Sequence, residues 1–589
     1  MIKSREGKKL KERRKRGIRR TIAYLMLSVL VAANIFIGIN PINVFAASHE
    51  GEFTSNVMAP LYVSDWGSFE YQLSMAKDIG VDAVSVDVWW GDVEKQGDNQ
   101  FNWSYYDQIF SKIKDSGLKI VPIMSFHQCG GNVGDDYTSY LPSWVWSKYR
   151  GKTYKGRTLD WDDLKYKSEL GNTSAEYLSL WIDDLVKSEY IDFMNSFEDQ
   201  YSAYANDFIE LNISCGPAGE LRYPSYNAHD EGNTYSGFPN KGYLQCYSDL
   251  AQDDFRSSMI EKYNNLQGIN ASWGTTLMDE SQIKPPSNGG EFFYGSGKAY
   301  LDSEYGRDFI EWYNKELADH GKNMITYAGQ AFDDELGNIK LGIKIPGVHW
   351  QINNQNYPRT AEICAGIVNT DFSQQNGYGY NPIIEMIKSF GDKVILHFTC
   401  LEMDNGNGDQ TSAAKTLVGW VGDAAHSKGV EIKGENALAG GNDNEQFWNN
   451  IKDAIDDHYY NGITILRIND AVYGTSNKYY NELIANNKTS SETSVTFRVH
   501  SANTSLGEEL YVVGSKPELG NWDPNKAVKM YNYDYPSWTA RVKGLNQGET
   551  IEFKFIKKSS NGVIWEDAIG NRTYTISNKT GEYEGNWNQ

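Results

Sequence analysis

Eight times between Ala59 and Arg467 a short run rich in β-branched residues alternates with a segment whose apolar residues recur at helical spacing. No other feature restricts the fold so severely. Strands separated by helical crossovers pair in parallel, and eight of them close into a (β/α)8 barrel. The first cycles show the pattern best. Phe69, Leu73, Ala76 and Ile79 share one helical face, Gly80 stops that helix, and Val84 to Val88 follows as strand. Tyr106, Ile109 and Ile113 repeat the face, Gly117 the stop and LKIVPIMSF the strand. APLYV (59–63) is placed as the first strand, and FIELNI, IKLGIKI, KVILHFT, GVEIK and GITILR as the remaining five. The intervals 127–207 and 221–338 exceed what a crossover needs and read as insertions.

After Leu483 the pattern changes. IANNKTSSETS is polar and rich in Ser, Thr and Asn, and beyond it helical periodicity gives way to short alternating runs: VTFRVH, ELYVVG, WTARV, IEFKFIKK, VIWED and RTYTI. Roughly seven short strands in a hundred residues predict a small antiparallel β-sandwich. The expected plan is therefore an α/β chain: leader 1–47, TIM-type barrel 48–485, linker 486–492 and β-sandwich 493–589.

The leader reads as a secretory signal peptide. Eleven Lys or Arg and two Glu in the first twenty residues give a local charge of +9, an apolar run from Ile22 to Ile39 follows, and Val44-Phe45-Ala46-Ala47 offers a small-residue exit. The run is long enough to raise a retained anchor as an alternative, but Asn34 and Gly38 interrupt it. Removal near Ala47 predicts a secreted, extracellular chain with no membrane attachment. Removing the +9 leader from the formal −21 leaves −30. So acidic a chain repels nucleic acid, whose affinity for proteins comes from Lys and Arg. The 39 Tyr, 17 Trp and 23 Phe instead suit a surface that stacks on neutral rings, or simply a large aromatic core. Five cysteines, none in C-x-x-C spacing, provide neither a disulfide framework nor a zinc site; Cys129, Cys215 and Cys400 read as small packing residues.

A barrel of this type carries its active site at the C-terminal strand ends, and each such end here bears polar or aromatic residues. Strand two ends in Asp87, Trp89 and Trp90; strand three in His127 and the loop CGGNVGDD with Asp135; strand four in GPAGELR with Glu220 and Arg222. Strand five leads to Lys344, His349 and Trp350, strand six to Thr399 and Glu402, strand seven to Glu435, Asn436 and Ala437, and strand eight to Arg467. GPAG alone could be a surface turn. Acids, bases and tryptophans at seven strand ends instead converge on one pocket.

HQCGGNVGD (127–135) and GPAGELRYPSY (216–226) resemble the two signatures of the β-amylase family, and TCLEM and GENAL match two further segments in order. The resemblance spans roughly residues 55 to 485. It implies a (β/α)8 enzyme that removes β-maltose from the non-reducing ends of starch, amylose and maltooligosaccharides with inversion, Glu220 being the general acid and Glu435 the general base. The chemistry is consistent: inversion needs two carboxyls about 6.5–9.5 Å apart with a water between one of them and the sugar, and strands four and seven lie on roughly opposite sides of an eight-strand ring. By residue type alone Glu402 competes as base; the family motif selects Glu435. The same match implies that Asp87 and His127 hold the terminal glucose, that Lys344 and His349 hold the sugar on the leaving-group side, that Thr399 sits on an inner loop, and that Arg467 orients the base or the sugar. Asn436 and Ala437 join the substrate-binding set. Gly130-Gly131-Asn132-Val133-Gly134 suits a lid carrying Asp135 over the substrate.

Some bacterial members carry calcium, and Glu94, Asp98, Asn99, Glu189 and Asp192 are the candidate oxygen ligands for a structural ion, against solvated surface acids as the alternative. No organic cofactor is expected, and a monomer is. The last hundred residues resemble the starch-binding module of bacterial amylases and fungal glucoamylases. That likeness implies a site of Trp522 and Trp565 with Lys554, Glu566 and Asn571 supplying hydrogen bonds. A second site around Tyr531 and Trp538 is weakened by Leu506, which stands where a tyrosine is usual. Two rivals remain: a retaining α-glucan hydrolase or transglycosylase, distinguished by the anomer it releases, and a non-catalytic starch-binding protein, against which the presence of both Glu220 and Glu435 counts.

Overall fold

β-branched runs that are apolar on both faces need a neighbour on each side and a cover on each surface, and a closed parallel barrel supplies both. In the computed structural model, which describes residues 53–130, 135–230, 242–350, 359–368, 378–406, 412–488, 493–505, 507–534, 536–577 and 580–589, eight such runs form that barrel. The strands are β1 (Thr54–Met58), β2 (Ala83–Trp89), β3 (Lys119–Ser125), β4 (Leu211–Ile213), β5 (Leu341–Ile345), β6 (Val394–Phe398), β7 (Ile432–Glu435) and β8 (Gly462–Ile465). They neighbour one another in chain order, every pairing is parallel, and β1 closes the ring against β8 with Val57 beside Ile465. The leader (1–47), Gly131 to Gly134 of the lid, linker residues 489–492, Leu506 and the Tyr531 side chain lie outside the described set.

One strand differs from the sequence reading. The first strand is TSNVM, five residues upstream of APLYV. Pro60 has no N–H to donate to a central ladder. The chain therefore leaves the barrel at Met58, and 59–63 become a loop over its mouth. The polar residues Ser55 and Asn56, both buried, disguised the true strand.

The helices include α1 (Trp66–Asp78), α2 (Ser104–Asp115), α3 (Ser143–Tyr149), α4 (Asp183–Tyr201), α5 (Glu304–Ala331), α6 (Asn381–Lys388), α7 (Ala414–Lys428), α8 (Glu445–His458) and α9 (Ser476–Asn487), and further helices such as Asp249–Tyr263 and Leu266–Trp273 lie in the insertion after β4. Of the nine numbered helices, all but α3 and α9 are barrel crossovers; α3 lies in the insertion after β3, and α9 follows β8. α1 begins with the Asp65 side chain accepting from the Ser68 N–H, an ordinary N-cap. One continuous apolar cluster fills the barrel and the space under its helices.

The C-terminal region packs nine strands around a separate core containing Val495, Phe497, Leu510, Val512, Phe553 and Phe555. Its two sheets are antiparallel apart from one parallel pair, Thr493–His500 against Thr580–Asn586. Polar contacts join it to the barrel: Lys478 to Glu582 at 2.8 Å, and Arg541 to the Asp78 carbonyl at 3.3 Å. Among the described residues no helix is long and apolar enough to cross a membrane.

Candidate active site

The strand ends converge as the barrel requires. Asp87, His127, Asp135, Glu220, Lys344, Thr399, Glu435, Asn436, Ala437 and Arg467 all line one cavity of about 320 Å³, near the lower limit of the roughly 300–1,000 Å³ usual for small-molecule sites.

Glu220 owes its position to the bend that precedes it. Gly216 passes so close to the following turn that a Cβ there would lie 2.5 Å from the Glu220 carbonyl oxygen and 2.7 Å from that of Arg222. Gly219 has φ +78, in the left-handed region, facing the His127 ring. The chain thus leaves β4, turns sharply, and rejoins the ladder where Leu221 donates to the Lys344 carbonyl at 2.8 Å. Glu220 Oε2 accepts from Arg222 Nε at 2.8 Å. That buried guanidinium is itself fixed by the Asn227 amide oxygen at 2.7 Å and by the Tyr226 ring beneath it, 4.4 Å away. Asn227 in turn donates to Glu176. This chain of contacts orients Glu220 from the side away from the cavity.

Across the ring Glu435 ends β7, buried, with Lys344 Nζ 2.7 Å from its Oε1. Lys344 feels Glu435, Glu220 and Asp87 together, and their charges raise its pKa against the opposing effect of burial. Asp87 accepts from Ser125 Oγ at 2.9 Å. Burial raises the Asp87 carboxyl while the Arg467 and Lys344 cations pull it back. His127 Nδ1 bonds Ser214 Oγ at 2.8 Å, and Trp89 meets its ring edge-on at 5.2 Å. Burial first, then the Lys344 and Arg222 charges, push His127 down to about 3. It is a neutral hydrogen-bonding group.

Glu402 does not line the cavity. Its two oxygens both accept from the Ala437 N–H at 3.0 Å, and Oε1 also accepts from Leu438 at 3.2 Å, so it supports the loop after Glu435 from behind. Burial pushes it up to about 7 against those donors. Three further residues differ in detail from the sequence reading. Asn436 bonds the Leu438 and Leu466 carbonyls and the Leu466 N–H, holding two strand ends together. Arg467 bonds the Ala59 carbonyl and lies 3.8 Å from Asp87. His349 is not on the cavity wall; it bonds Ser412 Oγ at 2.6 Å and packs on Trp350, and burial lowers it to about 4. Thr399 accepts from the Gly347 N–H at 2.8 Å.

Other contributors left no readable sequence signal. Met58, Leu61, Cys129, Ala218 and Leu466 are apolar wall, while Asp136, Asn469 and Asp470 are added polar groups. Trp90, adjacent to Trp89, turns away into the core at 1 % exposure. Beneath the site Glu210 receives His397 Nε2 and Lys433 Nζ, the latter at 2.9 Å. Burial alone would raise this carboxyl, but those partners hold it at about 2. Gly342 makes room for it, since a Cβ there would fall 2.4 Å from Glu210 Oε1.

The candidate calcium ligands do gather, but around the Lys148 ammonium, which lies 2.6 Å from Asp98 and 2.7 Å from Glu189. Glu94 accepts from Trp90 Nε1 at 2.6 Å and from the Asn99 N–H at 2.5 Å. Asp192, the fifth candidate, feels the Glu189 and Lys148 charges. With Lys148 seated among them, Asp98, Glu94 and one Glu189 oxygen are already engaged, which leaves fewer free oxygens than the six to eight a calcium ion takes.

In the C-terminal sandwich Trp522 and Trp565 are part-exposed, and Asn571 reaches Glu552 at 3.2 Å. Glu566 is a correction. At 1 % exposure its carboxylate is filled by Arg572, the Phe555 N–H and the Asn588 N–H, so it braces the core and presents nothing to a ligand. Lys554 Nζ is turned onto the Glu566 and Ile569 carbonyls. Trp538 is core as well, donating to the Ala502 carbonyl at 3.0 Å.

The model of glycosyl hydrolase family 14 matches residues 56–493, and that of the starch binding domain residues 492–585. The chain is 38 % identical over 575 residues to a thermophilic β-amylase of Thermoanaerobacterium thermosulfurigenes, covering 96 % of this chain and 98 % of that one. It is 35 % identical over 548 residues to a β-amylase of Bacillus cereus, covering 91 % and 93 %. The crystal structure of the catalytic domain of β-amylase from Paenibacillus polymyxa superposes with a TM-score of 0.65 at 38 % identity, covering 74 % of this chain and 99 % of that domain.

Proposed function

This chain belongs to glycosyl hydrolase family 14, and on that premise we propose that its barrel hydrolyses α-1,4-glucosidic linkages of starch, releasing maltose from non-reducing chain ends with inversion. The observation that carries this reading is a single one: Glu220 and Glu435, on strands three apart in an eight-strand ring, face one cavity with a cation beside each.

Glu220 gives its proton to the glycosidic oxygen as the bond from that oxygen to C1 breaks. Glu435 takes a proton from a water on the other face of the sugar, and the water oxygen bonds C1. The new hydroxyl is therefore on the face opposite the departed chain, which makes the product β-maltose. Asp87 and neutral His127 hydrogen-bond the terminal glucose, Lys344 holds the Glu435 carboxylate in place, and Arg222 aims Glu220. Asp135 closes over the bound chain. Starch, amylose and maltooligosaccharides are the substrates, and the leader sends the enzyme to the extracellular medium. The C-terminal module, by the match of its residues, carries the glucan-stacking pair Trp522 and Trp565 and holds the enzyme on insoluble starch.

Polarimetry on a maltooligosaccharide digest tests the reading, since it reports product and anomer together. The β-anomer must appear first, and Glu220→Gln must lose at least ~10²-fold in turnover. An α-anomer appearing first means a retaining enzyme and overturns the mechanism.

A further inference from the structure

The acidic cluster beyond β2 raises a question that the active site does not answer. Asp98 and Glu189 come from separate segments, Glu189 being 2 % exposed. Unpaired carboxylates brought together in partial burial would repel each other and lose hydration, so something must neutralise them. Helix α3 supplies it. Lys148 extends from its last turn and places Nζ 2.6 Å from Asp98 Oδ2 and 2.7 Å from Glu189 Oε1. The neighbours of Lys148 on that helix complete the enclosure: Trp144 donates to the Glu94 carbonyl at 2.9 Å, and Tyr149 donates to Glu189. The ammonium also lies 5.3 Å from the Trp144 ring and 5.8 Å from that of Tyr149, a favourable setting for a cation. Asp192, on the same helix as Glu189, also feels the Lys148 charge, and other oxygens of the cluster have donors of their own. Asp98 Oδ1 accepts from the Asn99 amide at 2.8 Å, and both Glu94 oxygens accept from Trp90 and Asn99.

We propose that Lys148 is the resident cation of this cluster: its ammonium stands where a divalent ion would otherwise bridge the turn after β2 to α4, and it ties α3 to both without metal. A compact point charge with three donors is the side chain suited to that task. The tie matters for position, because α3 follows directly on the loop that carries Asp135.

The test uses the full chain. Its calcium content is measured after gel filtration, and its thermal midpoint is measured in EDTA and in millimolar calcium, which would raise the midpoint of any chain that binds the ion only when folded. The chain should hold no stoichiometric calcium and melt at the same temperature in both. Lys148→Met should melt lower in EDTA and regain stability saturably as calcium enters the vacated place. One equivalent of calcium in the parent chain, or a midpoint that falls on chelation, overturns the proposal. So does a Lys148→Met variant as stable as the parent, or one that is destabilised and that calcium does not rescue, since Lys148 would then be an ordinary ion pair. Should Lys148→Met fail to fold, Lys148→Gln and the parent chain's own metal content decide the matter.

Discussion

Glu402 and Glu435 are both buried strand-end carboxylates, and substituting each by glutamine separates their roles. Glu402 contacts only backbone donors, the N–H groups of Ala437 and Leu438 at 3.0–3.2 Å. A glutamine keeps one acceptor oxygen for them and loses the charge. Hydrogen bonds to charged groups contribute about 1.5–3 kcal/mol, and with the neutral acceptor retained the loss falls near the lower value, roughly tenfold in rate. The pKa of about 7 moderates it further, because near neutrality a large share of Glu402 is already uncharged. Glu435→Gln instead removes the group that takes the proton from water, at ~10²–10⁴-fold. Measured as kcat on a soluble maltooligosaccharide, Glu402→Gln should therefore exceed Glu435→Gln by at least an order of magnitude. Azide sharpens the comparison: a small anion that needs no deprotonation can replace the activated water in Glu435→Gln and give a glycosyl azide of inverted configuration. Rescue of Glu402→Gln by azide, with Glu435→Gln left inactive, would refute the assignment of the base and the support role of Glu402 together.

The bend before Glu220 is testable through Gly216→Ala: with backbone oxygens 2.5 and 2.7 Å from the new Cβ, overpacking should cost ~1–3 kcal/mol and kcat should fall more than KM rises, so a variant with parental kcat is the contrary result. His127 and His349, held at about 3 and about 4 by burial, bind protons more weakly folded than unfolded. The unfolded chain then holds more protons below the free value of 6.5, so stability falls as pH drops from there towards 4, by up to about 1.4 kcal/mol per pH unit for each ring. Urea midpoints against pH should show a shallower fall for His127→Gln, and parallel curves would exclude this origin. Because the sandwich has its own core, a chain ending near Asn486 should hydrolyse soluble maltooligosaccharides at near the intact rate yet lose most adsorption to starch granules. Trp522→Ala with Trp565→Ala should imitate it, and normal adsorption by the double variant would locate granule binding elsewhere.

Much of this molecule is legible without coordinates, because periodicity is a local property. Alternation of strand and helix dictates the parallel barrel, barrel geometry dictates which strand ends face the site, and the residues there, Glu220 and Glu435 among them, can be numbered in advance. Long-range packing decided the rest. Pro60 moved the first strand to TSNVM, with Ser55 and Asn56 inside it. Of two adjacent tryptophans only Trp89 reaches the cavity. Glu402 stands behind the loop it was expected to compete within, and Glu566 is bound up in the core of the module that was expected to present it. Lys148 left no trace as a cation for Asp98 and Glu189. In each case the outcome depends on a partner far away in the chain: Lys344 and Glu435 are 91 residues apart, and His127 and Ser214 are 87 apart. A side chain's type states which interactions it can make. Only the folded arrangement brings one of its possible partners within 3 Å, and that choice fixes whether a buried carboxylate becomes a base, a brace or half of an ion pair.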